Sequence, residues 1–122
     1  MTKERLALGK AGEDIAFKKI KKLGYKCVER NYRCALGEID MIARHGNCLV
    51  FIEIKTRKGR DTGYAKEAVT DRKKRQISKT ALHYMKENNC SDTKSRFDVV
   101  AVCINEGKPD IEVIENAFEL AY

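Results

Sequence analysis

The sequence has no long apolar run and no paired cysteines, and each absence argues against a class of protein. No stretch of about 18 apolar residues occurs, so we predict no transmembrane helix. The first residues, MTKERLALGKAGEDIA, contain acids and lack a continuous apolar segment, so we expect no signal peptide. The five cysteines form no CxxC pair, which disfavours a zinc site or a disulfide framework and favours reduced thiols in a cytoplasmic protein.

The chain also lacks internal repeats, low-complexity segments and linkers, and it contains a single proline, Pro109. Its 122 residues suit one domain, residues 1–122, and a chain of this length buries roughly two-thirds of its surface on folding. Hydrophobic residues make up 43% and charged residues 35%, which is typical of a globular protein with a highly charged surface.

The positive charge is concentrated in one segment. The formal net charge is +7, and residues 55–79 contain ten bases against three acids, so this segment carries the whole excess. The ten bases are Lys55, Arg57, Lys58, Arg60, Lys66, Arg72, Lys73, Lys74, Arg75 and Lys79. Such a concentration favours a polyanionic partner, most often nucleic acid, and the alternative is a solvated helix face beside a polar loop.

The residue pattern predicts an α/β protein with a mixed sheet and the element order α-β-β-β-α-β-β. Apolar residues at helical spacing predict a first helix over residues 2–23 and a second from 71 to about 88, with Thr70 as its N-cap. Predicted strands cover residues 25–33, 38–44, 48–56, 97–104 and 110–115. Because a helix separates the third and fourth strands, we expect these two strands to be parallel.

The second and third strands form a predicted hairpin that fixes its own register. With a two-residue turn at 46–47, Asp40 comes opposite Glu53 and Glu38 comes opposite Lys55. The other face of the hairpin is then wholly apolar and consists of Ile39, Met41, Ala43, Val50, Ile52 and Ile54.

The polar face of this hairpin is a candidate metal and phosphate site. Opposed side chains have Cβ atoms roughly 5 Å apart, and two carboxylates at that distance repel unless one is protonated or a cation lies between them. Mg²⁺ accepts one or two protein carboxylates and keeps several waters, so it would fit Asp40 and Glu53. Lys55 would orient the attacking water or stabilise charge on phosphate. The alternative is an ordinary exposed sheet face, because an acid-x-Lys tripeptide occurs four times in the chain.

Glu13 is a further candidate acid, on or beside the apolar stripe of the first helix. It precedes Ala16 and Phe17 by three and four positions, so its side chain either joins the acidic site or reaches water at the helix edge.

Five segments taken together resemble a known family. GKAGEDIA, GEIDMIA, LVFIEIKTR, AVTDRKKRQI and RFDVVAV, in this order, resemble the YraN-like family of bacterial proteins. That family is largely uncharacterised, belongs to the restriction-endonuclease-like PD-(D/E)xK nuclease superfamily and is similar to archaeal Holliday-junction resolvases. The resemblance covers nearly the whole chain, and it is the combination of motifs that is specific.

The resemblance implies a restriction-endonuclease-like core with a Mg²⁺ or Mn²⁺ site. Asp40 and Glu53 would be metal ligands, Glu13 a further acid that binds directly or through water, and Lys55 the catalytic lysine. The superfamily's proline before the aspartate is replaced by Gly37-Glu38-Ile39. Glu38 would either pair with Lys55 or act as a second acid, and Asp98 would brace the sheet.

Nucleic acid would be bound beside this site. The implied contacts are Arg57, Lys58, Arg60, Arg72, Lys73, Lys74, Arg75 and Gln76. Gln76 has a simpler alternative as an ordinary glutamine on the helix surface. A homodimer would suit a resolvase, since a junction presents two symmetric cuts, although no segment indicates an interface.

The leading hypothesis is a Mg²⁺- or Mn²⁺-dependent nuclease that hydrolyses DNA, in preference to RNA, at branched or single-stranded structures. A second hypothesis is a nucleic-acid-binding protein on the same fold that does not cut. A third is a structural or regulatory partner of another protein, with no salt-sensitive affinity for DNA. No membrane contact is expected.

Overall fold

A computed structural model describes residues 3–58, 69–105 and 108–121, and its elements follow the predicted order. They are α1 (Lys3–Lys22), β1 (Lys26–Cys34), β2 (Gly37–His45), β3 (Cys48–Lys58), α2 (Asp71–Glu87), β4 (Ser95–Ile104) and β5 (Asp110–Phe118). Every predicted helix and strand is thereby confirmed. Arg60, a predicted nucleic-acid contact, lies outside the described residues.

The five strands form one mixed sheet in the order β1-β2-β3-β4-β5. Strands β3 and β4 are parallel from Leu49↔Ser95 to Lys58↔Ile104, and the other neighbours are antiparallel. The helix α2 connects β3 to β4, as parallel neighbours require. The predicted parallel crossover is therefore confirmed.

The two helices cover opposite faces of the sheet. On one face, Ala16 and Ile20 of α1 belong to a buried cluster with alternate residues of the hairpin. Its hairpin members are Met41, Ala43, Cys48, Val50, Ile52 and Ile54. On the other face, Ile77, Ala81 and Tyr84 of α2 pack with Ile42 and Phe51. Both faces of the central strands are thus covered, which accounts for the near-continuous apolar run in β4.

One member of the predicted apolar face is on the wrong side. Ile39 packs in the α2 layer with Ile42, whereas Met41 packs in the α1 layer. Strict alternation would put Ile39 and Met41 on the same face, so the alternation of β2 breaks at Asp40. Asn31 on β1 has φ 55 and lies between the pairs Arg30↔Met41 and Tyr32↔Ile39, so both strands are irregular at this level.

The predicted hairpin register is confirmed as far as it extends. The pairs run from His45↔Cys48 to Met41↔Ile52, as expected for a turn at 46–47. Beyond this point β2 remains paired with β1 down to Gly37, and β3 remains paired with β4 up to Lys58. The strands β2 and β3 therefore separate into a fork, and the acidic residues lie where it opens.

Other sequence expectations concern cysteine and the membrane. Cys27, Cys34, Cys48 and Cys90 carry free thiols, in line with the expectation of reduced cysteines. Neither helix in the described part of the chain combines the length and hydrophobicity needed to cross a bilayer.

Candidate metal centre and nucleic-acid interface

The opening of the fork is held by a side chain of β2. The Oδ2 atom of Asp40 accepts a hydrogen bond from the main-chain N–H of Ile54 at 2.8 Å. The carboxylate of Asp40 thus bonds to a main-chain N–H of β3 that lies beyond the last hairpin pair, Met41↔Ile52. The predicted main-chain pairs of Asp40 with Glu53 and of Glu38 with Lys55 are wrong in this detail, because the ladder ends at Met41↔Ile52.

Asp40 and Glu53 nevertheless interact, and burial dominates their electrostatics. Glu53 is only 6% exposed, and burial, followed by the charge of Asp40, raises its pKa to about 7. Burial also raises the pKa of Asp40, the Ile54 N–H opposes this shift, and the charge of Glu13 adds to it. At neutral pH, two neighbouring carboxyl groups with raised pKa values either keep a proton between them or attract a cation.

Lys55 lies beside Glu53, as the sequence predicts. Its Nζ atom is 3.8 Å from Oε1 of Glu53, and its side chain is 36% exposed. The neighbours Ile52 and Ile54 belong to the α1 layer, so alternation places Glu53 and Lys55 on the α2 side of β3. The lysine can therefore reach a ligand in solvent while it stays close to the buried acid.

Glu13 reaches the site from the opposite side of the sheet. It lines a cleft of about 570 Å³ together with Leu8, Gly9, Asp40, Ile54, Thr56, Arg57 and Lys58. The approach of α1 depends on Gly12, since a Cβ at this position would lie 2.6 Å from Cγ2 of Thr56. Asp40 is common to both sides, because it lines this cleft and also interacts with Glu53.

The donor set fits a hard divalent cation held by few protein ligands. Among the described residues, no three His, Cys, Asp or Glu side chains converge into a ready metal cluster. Mg²⁺ commonly takes only one or two carboxylates and fills its remaining positions with water and substrate oxygens. Buried Glu53 and half-buried Asp40 offer that number of carboxylate groups, and Glu13 lies beside Asp40 in the cleft.

The predicted phosphate-binding bases fall into distinct environments. Arg57 and Lys58 are exposed at the end of β3 and line the cleft. Arg72 and Arg75 are exposed on α2. Lys73 differs from them, because its charge lowers the pKa of both Asp40 and Glu53. Sequence reasoning placed Lys73 with the other bases of α2 and missed its position near the acids.

The ammonium group of Lys74 contacts other residues of the fold. Its Nζ atom lies 3.9 Å from Oδ1 of Asp71 and 5.8 Å from the ring centroid of Phe118. Both contacts turn the ammonium group towards its own helix and the C-terminal strand.

Gln76 packs against the beginning of β2. A Cβ on Gly37 would lie 2.9 Å from both Cγ of Gln76 and Oγ1 of Thr80, and Gly37 has φ 151, so glycine is needed here for space and for conformation. Glu38, the next residue, pairs with Arg33 at 3.1 Å. Of the two alternatives for Glu38, the ion pair is therefore made with Arg33 of β1 instead of Lys55. The other alternative, a second acid near the site, stays a prediction, and the charge of Glu38 does raise the pKa of both Asp40 and Glu53.

Asp98 has a structural environment, as the sequence indicated. It is fully buried and accepts hydrogen bonds from the Tyr25 hydroxyl at 2.7 Å and the Asn116 N–H at 2.9 Å. The Arg96 guanidinium lies 2.9 Å from its Oδ1. These donors satisfy the carboxylate and link β4 to β5 and to Tyr25, in the connection between α1 and β1.

Comparison with known proteins gives a family without an assigned activity. The model of UPF0102, described as an uncharacterised protein family, matches residues 12–102, the range that contains all the candidate acids. A UPF0102 protein of Geobacter sulfurreducens is 47% identical over 116 residues, which are 94% of this chain and 91% of the relative. Its counterpart in Geobacter metallireducens is 44% identical over 122 residues, the whole of both chains. That of Caldicellulosiruptor saccharolyticus is 42% identical over 113 residues, or 91% of this chain and 96% of the relative.

Proposed function

The chain belongs to the uncharacterised protein family UPF0102, and we propose that it is a metal-dependent nuclease that hydrolyses DNA phosphodiester bonds. The observation that carries the proposal is the interacting acid pair of half-buried Asp40 and buried Glu53, with Lys55 at 3.8 Å from Glu53. Holding two interacting carboxylates away from water, one buried and one half-buried, costs free energy. A cation bound by both carboxylates would offset that cost.

Asp40 and Glu53 are the proposed ligands of Mg²⁺ or Mn²⁺, and Glu13 is the proposed outer acid. When bound, such a cation supplies positive charge to the phosphate and lowers the pKa of a water ligand. The hydrogen bond from Ile54 to Asp40 fixes one oxygen of the carboxylate and leaves the other for this role. The two remaining acids are held by separate elements, β3 and α1.

The bases have distinct proposed roles around the phosphate. Lys55 contacts a non-bridging oxygen of the scissile phosphate and stabilises the charge that develops there. Arg57 and Lys58 bind an adjacent phosphate at the cleft, and the exposed Arg72 and Arg75 of α2 bind the backbone further away. The proposed recognition is of phosphates and of the shape of the nucleic acid.

Branched or single-stranded DNA is the proposed substrate, on the strength of the resemblance to archaeal Holliday-junction resolvases. The excess charge of +7 supports a nucleic-acid partner of either kind. The rival function, binding without cleavage, would need the bases alone. Facing carboxylates would weaken such binding because they repel phosphate.

A panel of labelled substrates tests the proposal. Duplex, single strand, flap, four-way junction and RNA are each incubated with Mg²⁺, Mn²⁺ or chelator, using the natural chain and the Asp40→Asn variant. The proposal predicts metal-dependent cleavage of at least one DNA substrate that the variant loses. Salt-sensitive binding by both proteins without cleavage by either would instead support the binding function.

A further inference from the structure

The first turns of α2 lie over the strand that carries Asp40. Thr70 caps the helix, and its Oγ1 accepts a hydrogen bond from the N–H of Lys73 at 3.2 Å. Further along α2, Gln76 and Thr80 pack against Gly37 at the start of β2. Positions 73, 76 and 80 recur at intervals of three and four, so they share one face of the helix. Lys73 therefore lies on the face that is turned towards β2, one turn before Gln76.

The environment of Lys73 sets it apart from the bases beside it. Lys73 is half-buried, whereas Arg72 and Arg75 are exposed. Lys74 is directed to Asp71 and Phe118. The ammonium charge of Lys73 acts on both Asp40 and Glu53, and that of Lys55 acts on Glu53. Two lysines from different elements, β3 and α2, thus approach one pair of acids on the same side of the sheet.

We propose that Lys73 is a second lysine of the reaction centre, which contacts the scissile phosphate from α2 while Lys55 contacts it from β3. This inference rests on the proposed function and defines where the substrate strand runs. The strand would pass between the beginning of α2 and the α2 side of β3. The cleft beside Glu13 would then receive the adjacent phosphate at Arg57 and Lys58, and the scissile phosphate would lie on the α2 side of the acids.

The chemical role of Lys73 follows from the charge changes in phosphodiester hydrolysis. The oxygen of water bonds to phosphorus and gives up a proton to solvent or to a nearby carboxylate. The bond to the leaving sugar oxygen breaks, and that oxygen takes up a proton. Negative charge is redistributed over the phosphoryl oxygens during this exchange, and fixed ammonium groups that are already in position stabilise it without reorganisation. Lys73 is suited to this role because its backbone is held by the cap and its side chain is partly enclosed.

Lys73→Met tests the inference, with Lys79→Met as the matched control. Lys79 is an exposed lysine on the same helix, so both variants lose one charge from α2. We expect Lys73→Met to lower the single-turnover cleavage rate by about 100-fold at saturating DNA. We expect the Kd for DNA to rise by less than about 5-fold in either variant, because one phosphate contact contributes little to the total. Lys73→Arg, which restores the charge, should recover part of the rate.

The outcomes separate this inference from the proposed function. If the natural chain cuts and Lys73→Met cuts at the rate of Lys79→Met, the nuclease stands and the role of Lys73 is wrong. A Lys73→Met variant that loses binding and rate equally would also overturn the inference, since Lys73 would then be one of the general backbone contacts. If the natural chain cuts no substrate with either metal, the proposed function fails and the inference fails with it.

Discussion

The carboxylate of Asp40 holds the main chain of β3 at the point where β2 leaves it. Its Oδ2 atom accepts the Ile54 N–H at 2.8 Å, one residue beyond Glu53. This contact places an acidic side chain at the opening between two strands and near the buried acid Glu53. A single residue thus closes the hairpin and contributes to the candidate metal centre.

Asp40→Asn should separate these two roles. The amide oxygen can still accept the Ile54 N–H, so we expect thermal stability to be retained or raised, because a half-buried negative charge beside other acids is removed. Loss of a metal ligand should lower the cleavage rate by at least about 100-fold. Rates on the preferred substrate and melting temperatures test both expectations.

Asp92→Asn is the matched control for Asp40→Asn. Asp92 is an exposed residue in the turn after α2, so the cleavage rate and melting temperature of Asp92→Asn should equal those of the natural chain. Equal rates for both variants would show that Asp40 is not a ligand that the reaction needs.

Glu53 should make the stability of the metal-free protein depend on pH. Its pKa rises from 4.5 to about 7 on folding, so the folded chain binds more protons than the unfolded chain between these values. The free energy of unfolding should therefore fall as pH rises through this window. Glu53→Gln should remove the part of this dependence that Glu53 causes, while that of Asp40 remains, and it should gain up to about 3 kcal/mol over the natural chain at pH 8.

Urea denaturation at pH 5 and pH 8 in the presence of chelator measures this effect. The control is Glu112→Gln, at an exposed position of β5. Its free energy of unfolding should equal that of the natural chain at both pH values. If the free energy of unfolding of Glu53→Gln depended on pH as that of the natural chain does, Glu53 would not be a group whose pKa is raised on folding.

Lys55→Met should reduce cleavage while preserving the fold. The side chain is partly exposed and its ion pair with Glu53 is long, at 3.8 Å, so its removal should change the melting temperature little. We expect a fall of about 100-fold in the single-turnover rate, because the charge on phosphate loses a fixed partner. Lys94 is an exposed lysine before β4, so the control variant Lys94→Met should retain the rate. Equal rates for Lys55→Met and Lys94→Met would contradict the proposed role of Lys55.

Gly12→Ala should destabilise the protein through a contact between α1 and β3. A Cβ at this position would lie 2.6 Å from Cγ2 of Thr56, and such overpacking costs about 1–3 kcal/mol. Gly9→Ala on the same helix meets nothing within 4 Å, so it should stabilise by about 0.5–1 kcal/mol. Thermal or urea denaturation compares the two variants directly, and equal effects would rule out the close approach.

The family, the element order and the hairpin register could all be predicted from the sequence. The register followed from the turn at 46–47 and from the alternation in β3, because a shift by one residue would have turned apolar side chains to the wrong face. The motif resemblance to the YraN-like family agrees with the UPF0102 match over residues 12–102.

The details that were missed depend on contacts between elements far apart in the chain. Glu38 pairs with Arg33 because of the β1–β2 register, and the polar pattern of β1 gave no means to predict that register. Ile39 changes face where Asn31 adopts a positive φ, a conformation that alternation alone does not indicate. The nearness of Lys73 to both acids depends on how α2 lies on the sheet.

The metal centre itself can be tested most directly with Mn²⁺ in crystals grown at pH 8, above the raised pKa of Glu53. The anomalous difference map should contain a peak within bonding distance of carboxylate oxygens of both Asp40 and Glu53. The peak should be absent from crystals of Asp40→Asn soaked in the same way. Natural crystals without a peak at this pair, at Mn²⁺ concentrations that support cleavage, would contradict the account.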